Sequence, residues 1–373
     1  MPIWKGAITA RRFAIVSGNF ERDQEGWRDL LRARVEEHSF RHPQRPVPGE
    51  EVWGFVLPDN LLETDFSDRN RWLVEPYVFL GLRFDRTFLP KEKILAEAKR
   101  RAAAWCRDNS VERCPNAIRR AIKEQVEEEL RSEARTKSTI VDIAWNLDQG
   151  YVLVGSTTTK VMDAVRKRFL RAFGVKLVPM GPLREGESPK ILGYAAAEEV
   201  PADTTLQLLS WIHFVSEAKG GLGMEDPDDG RAISVTDRVS FVSDHSTVQI
   251  KGELAGSRHE AGTAVKDGRL ACEVKVELQT DGQATAVSVL TGEFPDCKSL
   301  KFLNSGDDEG GGEGDARLAR LWMYEAFYDE LVAWGTRFCA VRTDRDHWNA
   351  YLAARTAWAE QVAIAADEER ESA

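Results

Sequence analysis

The segment from Lys91 to Lys176 constrains the fold most, because two charged helical patterns enclose a strand–turn–strand pattern. The first helical pattern runs from Lys91 towards Lys137, with apolar residues recurring every four positions from Ile118 to Leu130. Residues that favour β-strands alternate or cluster in two segments, Thr139–Trp145 and Tyr151–Val154. Turn-forming residues separate the two segments. This order predicts helices packed on an antiparallel sheet.

A second basic helix follows the strand pair. Ser156–Thr159 supplies hydroxyls suited to a helix N-cap, and Gly174 suits the C-terminal end. A short strand, Val175–Val178, comes next and is closed by a proline. The β-β-α-β order therefore repeats the α+β character of the segment.

The remaining patterns predict the same fold class, α+β with antiparallel sheets and packed helices, and a helical C-terminal tail. Val239–Ile250 and Cys272–Leu290 alternate as strands do, whereas Leu318–Cys339 and His347–Ile364 have helical periodicity. We expect four parts: an N-terminal α+β unit with long basic helices, a second α+β unit, an acidic Gly-rich linker and the helical tail, at residues 1–180, 181–304, 305–315 and 316–373.

Positive charge is concentrated on a chain that is acidic overall. The net charge is −10, yet residues 1–176 carry +6 and residues 177–373 carry −16. From Lys91 to Lys137 there are 13 Lys/Arg against 9 Asp/Glu, and from Lys160 to Lys176 there are 6 against 1. Local charge decides whether a protein approaches a polyanion, so these helices are candidates for contact with phosphates.

The two basic helical patterns do not indicate phosphate binding equally strongly. In the first, Glu residues are interleaved with Arg and Lys at the spacing of i, i+4 ion pairs, which also describes a solvated helix with no ligand. In the second, Asp163 is the single acid. Neither helix shows an aromatic platform for single strands, which favours duplex DNA bound through its backbone.

Motifs of several enzyme classes are absent from the sequence. We find no phosphate-binding GxxxxGK[ST], no HExxH, no GxSxG and no GxGxxG after a strand. Five widely spaced cysteines without a CxxC pair argue against structural zinc and disulfides. We therefore expect a protein that is not an enzyme and has no cofactor. The acidic loop Glu225–Asp229 leaves a metal-dependent hydrolase or nuclease as an alternative.

No apolar run reaches the length of a transmembrane helix, and the N-terminus lacks the apolar core of a signal peptide. The expected location is the cytoplasm, with no membrane partner.

The order and spacing of several short motifs resemble one known family, the recombination-associated protein RdgC family. The resemblance covers residues 1–305 and rests on these runs: Leu82–Arg86, Leu89-Pro90, Lys123–Arg131, Val141–Asn146 with Gly150, Val152–Val154, Ser156, Lys160, Phe173-Gly174, Leu208–Ile212 and Lys298–Phe302. The chain departs from the family after its charged helix. There the family has Leu-Pro-Arg-Ala-Phe, and this sequence has Leu130-Arg-Ser-Glu-Ala134.

The resemblance implies an elongated protomer that binds double-stranded DNA without sequence preference. It also implies a ring-shaped homodimer with a positively charged hole, association with the nucleoid and modulation of RecA-dependent recombination. On this basis the candidate DNA-binding residues are Arg119, Arg120, Lys123, Arg131, Arg135, Lys137, Lys160, Arg166 and Lys167. A further alternative is a protein-interaction scaffold whose basic helices are only solvated.

Overall fold

The structure is a computed structural model. It describes residues 3–17, 25–43, 47, 49–60, 62–185, 187–194, 199–218, 231–243, 246–252, 254–280, 283–292, 296–303 and 313–372. Helices and antiparallel strands are both abundant, and the C-terminal region is helical, which confirms the predicted α+β class with its helical tail.

The chain divides into two compact units that do not follow sequence order. The first unit comprises Met1–Phe20, Val74–Val78 and Ile143–Ala373, and the second comprises Glu21–Leu73 and Phe79–Asp142. This division uses other boundaries than residues 180 and 304, which stay a prediction. The predicted linker at 305–315 lies largely outside the described residues, apart from the backbone of its last three, which begin a helix.

The second unit combines a small sheet with a pair of helices. Strand β2 (Glu51–Val56) pairs antiparallel with β4 (Tyr77–Phe88), with Glu51 opposite Arg86. Its remaining elements are helix α1 (Trp27–Glu37), the short strand β3 (Leu73–Val74), helices α2 (Lys91–Asp108) and α3 (Asn116–Glu129), and strand β5 (Arg135–Asn146). Strands β3, β4 and β5 each also have residues in the first unit.

Two apolar contacts explain how α2 and α3 stay together. Ile94 on α2 packs with Val126 and Leu130, all three buried, and Leu89 and Ile122 cover this cluster. Helix α2 ends at Asp108, where the backbone N–H groups of Asn109 and Ser110 donate to the carbonyl oxygens of Trp105 and Arg107 and close the last turn. A 3-10 turn, Leu130–Glu133, follows α3.

The first unit is built on an antiparallel sheet. Its strands are β1 (Ile8–Ser17), β6 (Tyr151–Val154), β7 (Lys176–Pro179), β8 (Arg231–Ser243), β9 (Ser246–Lys251), β10 (Leu270–Thr280), β11 (Gln283–Thr291) and β12 (Asp296–Phe302). The strand order is β6, β1, β12, β11, β10, β8, β9. Strand β7 pairs with the second half of β1, and the last four residues of β5 pair with β6.

Helices complete the first unit. They are α4 (Thr159–Phe173), α5 (Ser188–Ile191), α6 (Ala202–Ala218), α7 (Leu254–Lys266), α8 (Glu313–Thr343) and α9 (Arg345–Ser372). The predicted helices at Leu318–Cys339 and His347–Ile364 lie inside α8 and α9.

A buried charge holds α8 against β1. The Arg12 guanidinium lies 3.9 Å from the ring centre of Tyr151 and 4.5 Å from that of Tyr328, and its Nε is 3.3 Å from a Glu185 carboxylate oxygen. Burial has the largest single effect and lowers the pKa of Arg12, but Glu185, Tyr328, Tyr324 and Tyr151 together outweigh it by electrostatic attraction and leave the pKa raised. The cation therefore stays charged inside the unit.

Close backbone approach also fixes α8. A Cβ added at Gly335 would lie 2.9 Å from the carbonyl oxygen of Pro182, which is nearer than real Cβ atoms come. Glycine at this position lets the helix lie directly on the Pro182 segment.

Candidate nucleic-acid interface

Helix α4 is fixed to the sheet of the first unit by an aromatic cluster. The ring centre of Trp145, at the end of β5, lies 5.8 Å from that of Phe169 and 5.1 Å from that of Phe173. Met162 and Val165 are buried on the same side of the helix. The helix ends where Gly174 adopts φ 71°, in the left-handed region that glycine tolerates. The opposite face of α4 is thereby held towards solvent.

Two predicted lysines lie on that solvent face. Lys160 and Lys167 are two helical turns apart, so they project from one side of α4. Both are exposed, and neither forms an ion pair within the described part of the chain. Lys176, the first residue of β7, is likewise exposed and unpaired among the described residues. It was not a predicted site residue, although it closes the basic segment.

Arg166 is less available than these lysines. Its Nε donates a hydrogen bond to the Leu177 carbonyl oxygen at 3.0 Å, and its guanidinium lies 3.8 Å from Asp163. The side chain is therefore directed at β7 as well as at solvent. Of the three residues predicted on α4, two present an unneutralised charge.

Helix α3 carries similar cations, but its own acids neutralise them. Arg120 lies 2.9 Å from Glu124, and Lys123 lies 3.5 Å from Glu127, one turn along the helix in each case. Arg131 pairs with Glu128 at 2.8 Å. Arg119 donates to the carbonyl oxygen of Cys114 at 3.5 Å. The i, i+4 pairing that the sequence allowed is thus what the structure shows on α3.

The acids of the α2–α3 pair are also engaged between the helices. Arg101 lies 2.8 Å from Glu97 on its own helix and 2.5 Å from Glu129 on α3. Hydrogen bonds from Arg100 and then Arg101 lower the pKa of Glu97 to about 2. The hydrogen bond from Arg101 lowers the pKa of Glu129 in the same way. These pairs link the two helices and reduce the positive field of the hairpin.

The expectation of helix up to Lys137 is wrong. Helix α3 ends at Glu129 and β5 begins at Arg135, because the sequence from Arg135 onwards is rich in Thr and β-branched residues that favour strand. Lys137 is exposed on this strand, and no ion pair involves it among the described residues. The side chain of Arg135 lies outside the described residues.

The candidate DNA-binding residues consequently belong to two basic surfaces. Lys160, Arg166 and Lys167 lie in the first unit, whereas the others, Arg119, Arg120, Lys123, Arg131, Arg135 and Lys137, lie in the second. The α4 surface, which we define as Lys160, Lys167 and Lys176, carries bare charge. The α3 surface, which we define as Arg120, Lys123 and Arg131, carries paired charge.

The sites considered for other chemistry give no assembled centre. Within the described ranges no three His, Cys, Asp or Glu side chains come together as metal ligands would, and the loop Glu225–Asp229 lies outside those ranges. All five cysteines are free thiols. No described helix is both long and apolar enough to cross a bilayer.

No model of a known protein family matches the chain. No curated protein matches it either.

Proposed function

We propose that this protein binds double-stranded DNA without sequence specificity, and that the α4 surface is its main contact with the phosphates. The observation that carries this proposal is the pair Lys160 and Lys167, exposed on one face of a helix and without an ion-pair partner in the described chain. Lysine ammonium groups bind phosphates as point charges and read no base edges. Binding through them is therefore sequence-independent and salt-dependent.

The rigidity of α4 supports the same proposal. Because Trp145, Phe169 and Phe173 pack on each other, the helix is held in place before DNA arrives. A preorganised basic surface loses less conformational entropy on binding than a mobile one. The acidic remainder of the chain does not oppose this contact beyond about a Debye length, roughly 8 Å at physiological ionic strength.

The proposed assembly is a homodimer that encircles the duplex and modulates RecA-dependent strand exchange in the nucleoid. This part is supported by the resemblance to the RdgC family in residues 82–174 and in the two later motifs. It extends the proposal from the α4 surface of one chain to a ring made of two.

The phosphate contact is tested by a matched pair of variants. Lys160→Gln/Lys167→Gln/Lys176→Gln removes three charges from the α4 surface, and Arg120→Gln/Lys123→Gln/Arg131→Gln removes three from the α3 surface. Binding of a labelled duplex is measured by fluorescence anisotropy at several salt concentrations and with two unrelated sequences. The slope of log K against log[salt] is negative, and each phosphate contact that is lost should reduce its magnitude by about 0.9.

We expect the α4 variant to bind weakly with a shallow slope, the α3 variant to stay close to the wild type, and both sequences to behave alike. Equal losses in the two variants, or wild-type protein that binds no duplex at low salt, would contradict the proposal.

Encirclement is tested with circular and linear DNA. A closed ring can slide off a linear duplex but not off a circular plasmid. After a high-salt wash, the wild-type protein should stay on the circular plasmid and leave it once the plasmid is cut. Equal release from both forms would argue against a ring, and light scattering would then show whether the chain is a dimer at all.

A further inference from the structure

The second unit contains an open groove that no part of the proposed duplex contact uses. It has a volume of about 930 Å³ and lies where β4 ends and α2 begins, with α3 along its other side. Its lining includes Phe88, Arg86, Lys91 and Arg131, together with the acids Glu92 and Glu127. Every one of these residues belongs to the second unit.

Phe88 forms an exposed aromatic surface in this groove. Its side chain is 45% exposed, and its ring stacks on no other ring in the described part of the chain. The neighbouring residues fix the backbone on both sides. Thr87 is buried with its hydroxyl 3.3 Å from that of Thr136, and Leu89 packs on the cluster of Ile94, Val126 and Leu130. The ring is thus open to solvent while its anchor is rigid.

Two unpaired cations flank the ring. Arg86 lies two residues before Phe88 on the same strand, so both side chains project from the same face of the sheet. Lys91 opens helix α2, three residues further on. Both are exposed, and neither forms an ion pair with a described residue. An aromatic surface between free cations is the combination that binds a base and its phosphates.

The remaining charged residues of the groove reduce its attraction for an anion but do not abolish it. Arg131 is held by Glu128 at 2.8 Å, and Glu127 lies 3.5 Å from Lys123, so both are largely neutralised by neighbours. Glu92, in the first turn of α2, is exposed and opposes an anion. The positive charge available to a ligand therefore comes from Arg86 and Lys91. It is reduced by Glu92 and by the exposed Glu51, which lies opposite Arg86 on β2.

We propose that this groove binds an unpaired nucleotide of single-stranded DNA, with the base stacked on Phe88 and the adjoining phosphates at Arg86 and Lys91. The proposal rests on the proposed function only in taking DNA as the ligand. A fully paired duplex keeps its bases stacked inside the helix and offers Phe88 no free face. The groove would let the protein bind the single strand that is displaced or exposed during strand exchange.

The test measures anisotropy of labelled oligothymidylate and of an abasic strand of the same length. Phe88→Ala should weaken binding of oligothymidylate about 5- to 150-fold, the range spanned by stacking of one base on an aromatic ring. It should leave binding of the abasic strand and of the duplex unchanged. Leu95→Ala is the matched control, since Leu95 is 61% exposed on α2 and does not line the groove.

Two further variants protect the test against a folding defect. Phe88→Tyr keeps the aromatic face and should bind as the wild type does, whereas Glu92→Gln should bind single strands more tightly because an opposing charge is removed. A Phe88→Ala loss of equal size on the abasic strand, or no loss on oligothymidylate, would overturn the proposal. The same holds if Phe88→Ala changes only self-association, which would make the groove a protein contact.

The two proposals fail in different measurements. Unchanged duplex binding in the α4 variant would contradict the proposed role of the α4 surface and leave the groove untouched. Unchanged oligothymidylate binding in Phe88→Ala would contradict the groove and leave the α4 surface untouched.

Discussion

Helices α3 and α4 are both amphipathic and both carry several Lys and Arg residues, yet they expose very different charge. On the α3 surface, which includes Arg131 of the 3-10 turn that follows α3, each of Arg120, Lys123 and Arg131 has a carboxylate within 3.5 Å. On α4 Lys160 and Lys167 have none in the described chain. The helices also differ in anchoring, since α3 buries Val126 whereas α4 buries Met162, Val165, Phe169 and Ala172. Acidic residues one helical turn away from a Lys or Arg therefore decide how much positive charge a helix presents to a ligand.

The largest effect should come from the anchoring. Phe169→Ala removes a fully buried ring from under α4 and should lower the free energy of unfolding by about 3–5 kcal/mol. Val126→Ala removes two methyl groups from the core of the α2–α3 pair and should cost about 2 kcal/mol. Urea denaturation followed by circular dichroism measures both. If Val126→Ala lowered the free energy of unfolding more than Phe169→Ala does, α3 rather than α4 would be the more firmly anchored helix.

An intermediate effect should come from freeing the cations of α3. Glu124→Gln/Glu127→Gln/Glu128→Gln leaves the α3 surface without its carboxylates and makes α3 resemble α4. Duplex affinity at low salt should rise by up to about tenfold, with a steeper salt dependence, because more lysine and arginine charge can replace counterions. Anisotropy at several salt concentrations measures this. Unchanged affinity would mean that the second unit does not approach the DNA.

The smallest expected effect is a loss of thermal stability of the wild type in acid. Since the folded pKa of Glu97 is depressed to about 2 by Arg100 and Arg101, its pairs stabilise the fold above the usual carboxyl pKa, near 4.5. This stabilisation is lost as the pH falls from about 4.5 towards 2. The thermal midpoint of the wild type should therefore fall more steeply in that window than that of Glu97→Gln. Parallel curves for the two proteins would show that the pairs contribute nothing to stability.

Local patterns in the sequence were sufficient to predict much of the fold. The hydroxyl-rich start and Gly174 bracket α4 within three residues of its observed ends, and the turn residues Asn146–Gly150 do join two paired strands. Leu318–Cys339 and His347–Ile364 are helical as their periodicity predicted. These features depend on neighbours within a turn or two, which a sequence shows directly.

The site was less predictable, because it depends on which side chains meet. The sequence allowed Arg120 and Lys123 to pair with nearby acids, but it did not decide whether they did. The contact of Arg101 with Glu129 joins residues 28 positions apart, and that of Arg12 with Tyr328 joins β1 to the C-terminal helices. No sequence pattern marks Phe88 as an aromatic platform, because it lies at the end of a strand and outside the basic helices. Long-range packing decides the contacts of Arg101 and Arg12 and the surroundings of Phe88.

Gly335 has a consequence for recognising relatives of this chain. Because the Pro182 carbonyl occupies the space of a side chain there, even alanine would push α8 away from the segment it covers. In a diverged sequence, retention of glycine at this position would mark the same close packing of α8 on the Pro182 segment. A larger residue there would mark a protein whose C-terminal helices have been repositioned, however similar its first half.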